Sequence, residues 1–125
     1  MNFASDNQSG VCPRILQTLV EAASGCQSSY GNDTWSQRAE VLLKETFDTD
    51  LRVFFVATGT AANCLALSAL ARPWEAVLCH AQAHIITDET SAPEFFTGGA
   101  RLLPVATATG KLLADDLDRA LAHLP

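Results

Sequence analysis

The chain has 125 residues, of which 48% are hydrophobic and 18% charged, and its formal net charge is −6 at neutral pH. That balance is globular rather than disordered, and the length suits one domain or part of one. Eight Lys+Arg against fourteen Asp+Glu exclude a basic surface for nucleic acid or for an anionic membrane.

Residues 1–20 lack the basic start and the apolar stretch of a signal peptide. No apolar run approaches the ~20 residues of a membrane span. The four cysteines, Cys12, Cys26, Cys64 and Cys79, are irregularly spaced, with no Cys-x-x-Cys pair. Reduced, mostly buried thiols in a cytoplasmic protein are the expectation.

Residues 1–12 are polar and irregular. Pro13 opens a helix carrying Ile15, Leu16, Leu19, Val20 and Ala23 at helical spacing, and Gly25 is a stop signal. After a polar loop over 26–33, Asp33 or Thr34 caps a second helix near 35–48, with Ala39, Leu42, Leu43 and Phe47 facing inward. Residues 52–57 read as a buried strand. Residues 61–71 read as a helix apolar nearly all round, hence covered on more than one side. Arg72-Pro73 ends it. A short strand over Ala76–Cys79 follows, then a helix near 85–92 broken by Ala92-Pro93, then a strand over Leu102–Val105. A last helix over Asp115–Leu121 turns Leu117 and Leu121 inward. Strand and helix alternating is the pattern of an α/β layered domain with a mostly parallel sheet and flanking helices. We divide the chain into a helical segment, 1–50, and the first part of an α/β cofactor-binding domain, 51–125. Three short strands make an incomplete sheet, so the domain is expected to continue beyond residue 125.

The run Val53-Phe54-Phe55-Val56-Ala57-Thr58-Gly59-Thr60-Ala61-Ala62-Asn63 carries the first chemical signal. A β-prone run stops at Thr-Gly-Thr and a helix-forming run begins at once. Free N–H groups at a helix N-terminus suit an anion such as phosphate, and Gly59 removes a side chain that would block its approach. An ordinary strand–helix turn with a threonine cap has the same residues. The turn is neither a Walker loop nor Gly-x-Gly-x-x-Gly.

His84 follows a strand by a few residues, at the carboxyl edge where α/β sheets bind ligands. There an imidazole can stack on a flat cofactor or relay a proton; it can equally be a loop histidine satisfied locally. Glu89, one turn further, can orient that ring or belong to a solvated helix face. A metal on His80 and His84 would need one helix through both and further ligands, and none is expected. Tyr30, the single tyrosine, sits in a loop able to reach a phosphate or another subunit. Ser5-Asp6-Asn7 can line a pocket or be a frayed end.

Taken together, Phe3-Ala4-Ser5-Asp6-Asn7, Pro13-Arg14-Ile15-Leu16, Tyr30-Gly31-Asn32-Asp33, Phe55 to Asn63, Ala83-His84 followed by Glu89, and Gly98-Gly99-Ala100 resemble the low-specificity threonine aldolases. These belong to the aromatic-amino-acid β-eliminating lyase group of pyridoxal-phosphate enzymes. The resemblance implies the N-terminal part of the large domain of a fold-type-I, aspartate-aminotransferase-like enzyme. Such enzymes cleave L-threonine or L-allo-threonine to glycine and an aldehyde, as homodimers or homotetramers. By that resemblance Gly59, Thr60 and Ala61 would hold the phosphate of pyridoxal 5'-phosphate. His84 would stack on its ring near the substrate hydroxyl, with Glu89 in support. Ser5 and Tyr30 would line the substrate side, Tyr30 across a subunit interface.

Two features depart from the family's pattern. Cys12 stands where family members often have His. The lysine that bonds the cofactor is expected beyond residue 125, since neither Lys44 nor Lys111 matches its position. Two other readings therefore stand beside a lyase: a non-catalytic module that binds the cofactor weakly or joins a complete subunit, and an α/β domain for another phosphate compound.

Overall fold

The computed structural model describes residues 8–123. The chain forms two compact units that divide between Phe54 and Phe55, and each is taken by itself below.

The first unit is helical. Helix α1 spans Pro13–Ala22 with proline in its first turn, where its missing N–H costs nothing. Gly25 follows in the left-handed region, at φ 78°. Helix α2 spans Thr34–Phe47 and is capped by Asp33, whose carboxylate accepts from the Ser36 N–H at 2.8 Å and from Ser36 Oγ at 2.7 Å. Those bonds, the backbone one first, hold the Asp33 carboxyl below its ordinary value. The expected inward faces are not covered. Ile15, Leu16, Leu19 and Val20 on α1, and Leu42 and Phe47 on α2, are exposed. Two helices joined by a polar loop bury no residue fully on either.

The second unit is α/β. Helix α3 spans Gly59–Leu70, capped by Thr58, whose Oγ1 accepts from the Ala61 N–H at 3.1 Å. Strand β1 spans Ala76–His80 and β2 spans Arg101–Val105. They pair in parallel, from Ala76 opposite Arg101 to His80 opposite Val105. Pro104 lies within β2, tolerated because a two-stranded sheet has only edge strands. Between the strands run helix α4, His84–Thr87, and helix α5, Ala92–Phe96. Helix α6, Ala114–Ala122, packs on β2, and α5 packs on α3. The core is small: Cys64, Cys79, Pro93 and Ala100, with the polar Glu89 and Thr97 buried among them.

Five further sequence expectations are corrected. Residues 52–57 form no strand, and Phe54 and Phe55 are exposed. A strand needs a ladder partner, and among the described residues the sheet has only β1 and β2. Helix α3 is not enclosed: Cys64 is buried, whereas Leu65 and Leu70 are exposed. Leu121 of α6 is exposed as well, because the face it occupies has no covering element among the described residues. The helix expected over 85–92 is two short helices. Thr90 and Ser91 take positive φ of 48° and 60°, which turns the chain between them. Pro93 begins α5 instead of breaking the chain, since a first-turn proline loses no helical hydrogen bond.

The turn into β2 depends on Thr97 and Gly98. Thr97 Oγ1 donates to the Pro93 carbonyl at 2.8 Å and accepts from the Ala100 N–H at 3.2 Å. Gly98 has φ 75°, and a Cβ there would meet Pro73 Cγ at 3.3 Å. Gly110 has a similar φ of 71° with nothing near. Gly98→Ala is therefore expected to cost about 1–2 kcal/mol from the left-handed backbone alone, plus the Pro73 contact. Urea unfolding should rank Gly98→Ala as more destabilising than Gly110→Ala; equal midpoints would remove the packing role of Pro73.

Candidate active site

The site is assembled by α3 and the segment from β1 through α4 to Thr90, all in the second unit. The N-terminus of α3 begins at Gly59 because Thr58 is extended (φ −144°, ψ 158°) and caps it. The Thr58 side chain takes up the Ala61 N–H, and the Thr58 carbonyl takes up the Ala62 N–H. Among the described residues this leaves the Gly59 and Thr60 N–H groups without an intramolecular partner. There is no acidic residue in the first turn, and nothing lies within 4 Å of a Cβ built on Gly59. Free donors, the positive end of the helix dipole and open space together fit a phosphate-like anion. Beside the terminus lies a largely apolar cavity of about 400 Å³, lined by Thr58, Thr60, Ala61, Cys64, Leu65 and Phe96.

One turn along α3, Asn63 reaches out of the helix. Its Nδ2 donates to Glu89 Oε1 at 2.7 Å. The same oxygen lies 2.8 Å from His84 Nδ1. The Glu89 side chain is 0% exposed and that of His84 is 67% exposed. The carboxylate is thus sealed inside while the imidazole it grips faces outward. Toward an ionised carboxylate Nδ1 is the donor, which leaves Nε2 of a neutral ring as the acceptor. Glu89 Oε2 is buried without a hydrogen-bond partner among the described residues. The reading of Glu89 as part of a solvated helix face fails: α4 ends at Thr87, and Glu89 is buried in the turn that follows.

Tyr30 belongs to the first unit, fully exposed in a loop at φ 63°, with Gly31 following at φ 77°. Ser5 lies outside the described residues. His80 ends β1 and His84 begins α4, so they do not share a helix. His80 Nδ1 accepts from the Gln82 N–H at 3.1 Å. No group of three or more metal-ligating side chains occurs among the described residues. Lys44 is held by Asp50 at 3.3 Å and Glu40 at 3.4 Å. These pairings, Asp50 first, raise its ammonium above its ordinary value. A lysine held charged is the wrong state for a nucleophilic amine. Lys111 is exposed beyond β2, where Thr107 Oγ1 donates to its carbonyl.

Asn63 is the residue that sequence reasoning passed over. It closes the phosphate-cradle run, but a polar residue at the fifth position of a helix reads as solvated surface. Only the distant Glu89 gives it a partner.

A histidine held by a buried carboxylate and a helix N-terminus with free N–H groups thus lie in one α/β unit, joined through Asn63. The family model described as beta-eliminating lyase matches residues 2–124, and the chain belongs to that family. It is 48% identical over 110 residues to a low-specificity L-threonine aldolase of Pseudomonas aeruginosa, and 46% identical to one of a Pseudomonas species. Those alignments cover 88% of this chain and 32% of each relative, so the chain spans about a third of their length. A solved threonine aldolase structure from Leishmania major superimposes with a TM-score of 0.88 at 32% identity, covering 98% of this chain and 36% of that one. No helix among the described residues is long and apolar enough to cross a membrane.

Cysteine chemistry follows from the same packing. Burial pushes the Cys64 thiol up, and the charge of nearby Glu89 adds to it; burial and then Glu94 do the same for Cys79. Thiolate is the reactive form, so both are shielded twice over. Cys12 and Cys26 are exposed. Timed labelling with a thiol reagent at neutral pH should modify Cys12 and Cys26 promptly, and Cys64 and Cys79 only after denaturant. Prompt labelling of Cys64 would mean that the Asn63–Glu89 packing does not form.

Proposed function

We propose that this chain supplies the phosphate cradle and the histidine of a threonine-aldolase-like lyase. Such a lyase cleaves a β-hydroxy-α-amino acid, L-threonine or L-allo-threonine, to glycine and an aldehyde. The carrying observation is the outward-facing His84 fixed through Nδ1 by buried Glu89, in one compact unit with the open N-terminus of α3. The likeness to the Pseudomonas aldolases supports the substrate class.

The proposed cofactor is pyridoxal 5'-phosphate. When bound, it serves as an electron sink for the pair left on Cα as the Cα–Cβ bond breaks. The Gly59 and Thr60 N–H groups would hold its phosphate, and Ala61, its own N–H spent on Thr58, would shape the turn. The His84 ring would lie against the pyridine face. His84 Nε2, unprotonated and exposed, would accept the β-hydroxyl proton, and Glu89 would stabilise the imidazolium that forms. Ser5 and Tyr30 would face the substrate, Tyr30 from the neighbouring subunit of a homodimer or homotetramer. The exposed apolar face of α1 is in keeping with assembly, and a cytoplasmic location with the free thiols.

A second reading is favoured by one observation. Neither lysine suits covalent attachment of the cofactor: Lys44 is locked in ion pairs within the first unit, and Lys111 lies in an exposed loop. By itself the 125-residue chain would then be a non-catalytic module that binds the cofactor weakly or joins a complete subunit.

Two measurements test these readings. A chimera in which this chain replaces the matching 110 residues of the Pseudomonas aeruginosa relative should release glycine and acetaldehyde from L-threonine. His84→Asn in that chimera should lower kcat by roughly 10²–10⁴-fold, the usual worth of a general base. A folded chimera without turnover sinks the lyase reading. Separately, the 125-residue chain treated with pyridoxal phosphate and borohydride should retain no specific label and show no retro-aldol turnover. Stoichiometric labelling of Lys44 or Lys111 would refute the module reading.

A further inference from the structure

The geometry points to Asn63 as a positioning residue that sets the tautomer of His84 through Glu89. This rests on the reading of His84 Nε2 as the atom that meets the substrate.

Glu89 Oε1 accepts two hydrogen bonds, from Asn63 Nδ2 at 2.7 Å and from His84 Nδ1 at 2.8 Å. Among the described residues Oε2 is buried and accepts none. Nearly the whole hold on this carboxylate is therefore on one oxygen. The last torsion of a glutamate is broad and roughly two-fold, so a single contact to an exposed imidazole does not fix it. Asn63 does, because it is anchored in α3 and its donor approaches from the protein side. Adjacent Cys64 is 2% exposed, which fixes the backbone from which Asn63 projects. Asn63 thereby ties the helix that forms the anion cradle to the ring of His84.

The chemical consequence is specific. A carboxylate held at Nδ1 keeps the proton on Nδ1 and presents Nε2 as a lone-pair acceptor. When Asn63 is removed, the carboxylate turns on its last torsion, the fixed acceptor leaves Nδ1, and the ring is free to place its proton on Nε2. In that form the outward nitrogen is a donor, and it cannot take a hydroxyl proton. Asn63 touches neither substrate nor ring in this arrangement and acts through Glu89.

The test is NMR on the full 125-residue chain without cofactor, using ¹⁵N-labelled histidine and asparagine. In the unaltered chain His84 should show predominantly the Nδ1–H tautomer. Its Hδ1 should give a nuclear Overhauser contact to the Asn63 side-chain amide. Asn63→Ala should lose that dominance and populate Nε2–H, while Asn63→Gln, which keeps a donor, should restore part of it. Retention of the Nδ1–H form in Asn63→Ala overturns the proposal. So does absence of the Asn63–His84 contact in the unaltered chain, a reading that does not depend on any variant folding. Slow thiol labelling of Cys64 in each variant separates a tautomer change from loss of the fold; a variant that exposes Cys64 while the unaltered chain lacks the contact counts against the proposal. No turnover enters these measurements. Retention of the Nδ1–H form in Asn63→Ala leaves the lyase reading untouched, and failure of the chimera leaves the tautomer assignment untouched.

Discussion

One buried carboxylate organises the candidate site. Glu89 is closed off from solvent, and its Oε1 lies between an amide of α3 and the imidazole at the start of α4. Burying a charge is costly unless it is paired and hydrogen-bonded. The chain meets that requirement by ending α4 at Thr87, so that Glu89 is not carried on along the helix and its Oε1 reaches His84 Nδ1 and Asn63. The chain turns again directly afterwards at Thr90 and Ser91, two non-glycine residues in the left-handed region. Such backbone is itself unfavourable, by about 1–3 kcal/mol per residue. A continuous helix over 85–92 would leave Glu89 at a helical position determined by its spacing from His84.

The anion cradle is built by a different and more local rule. Thr58 caps α3 and in doing so uses the Ala61 N–H. A capping side chain and a bound anion compete for the same donors, because a helix has only its first few N–H groups to offer. The cap leaves Gly59 and Thr60, the two donors nearest the open side. The cap uses the Ala61 N–H, so of the three residues proposed to hold a phosphate only Gly59 and Thr60 keep free backbone donors among the described residues. The cradle and the histidine are linked covalently by only a long stretch of chain, but through Asn63 and Glu89 they are linked by two hydrogen bonds.

Much of this was legible in the sequence where local chemistry decides the outcome. Pro13, Asp33, Thr58 and Gly25 mark helix ends because capping depends on the immediate neighbours. The strands at Ala76 and Leu102 were found to within a residue at their boundaries, and their parallel pairing follows from the intervening helices. The candidate pair His84 and Glu89 was visible as a spacing of five. What was not legible depends on partners distant in sequence. Residues 52–57 have the composition of a strand, yet composition cannot supply a ladder, and Phe54 and Phe55 remain exposed. Leu65 and Leu70 likewise have the composition of a core without a covering layer. Asn63 was missed for the converse reason. Its partner is 26 residues away, and no periodicity signals a polar pair across that distance.

The two lysines show how far the site's chemistry extends within this chain. A residue that bonds a carbonyl cofactor must present a neutral amine, which proteins obtain by removing carboxylates or by burying the nitrogen. Lys44 has the opposite surroundings, since Asp50 and Glu40 both favour its charged form. Lys111 is exposed. The groups gathered around α3 and His84 are of another kind. They are donors for an anion, an acceptor for a proton, and a buried charge that holds the acceptor in place. Such a set binds and orients without forming a bond. In a chain that spans about a third of the length of its aldolase relatives, the described groups around α3 and His84 are thus suited to binding and orienting, and neither lysine has surroundings that favour a neutral amine.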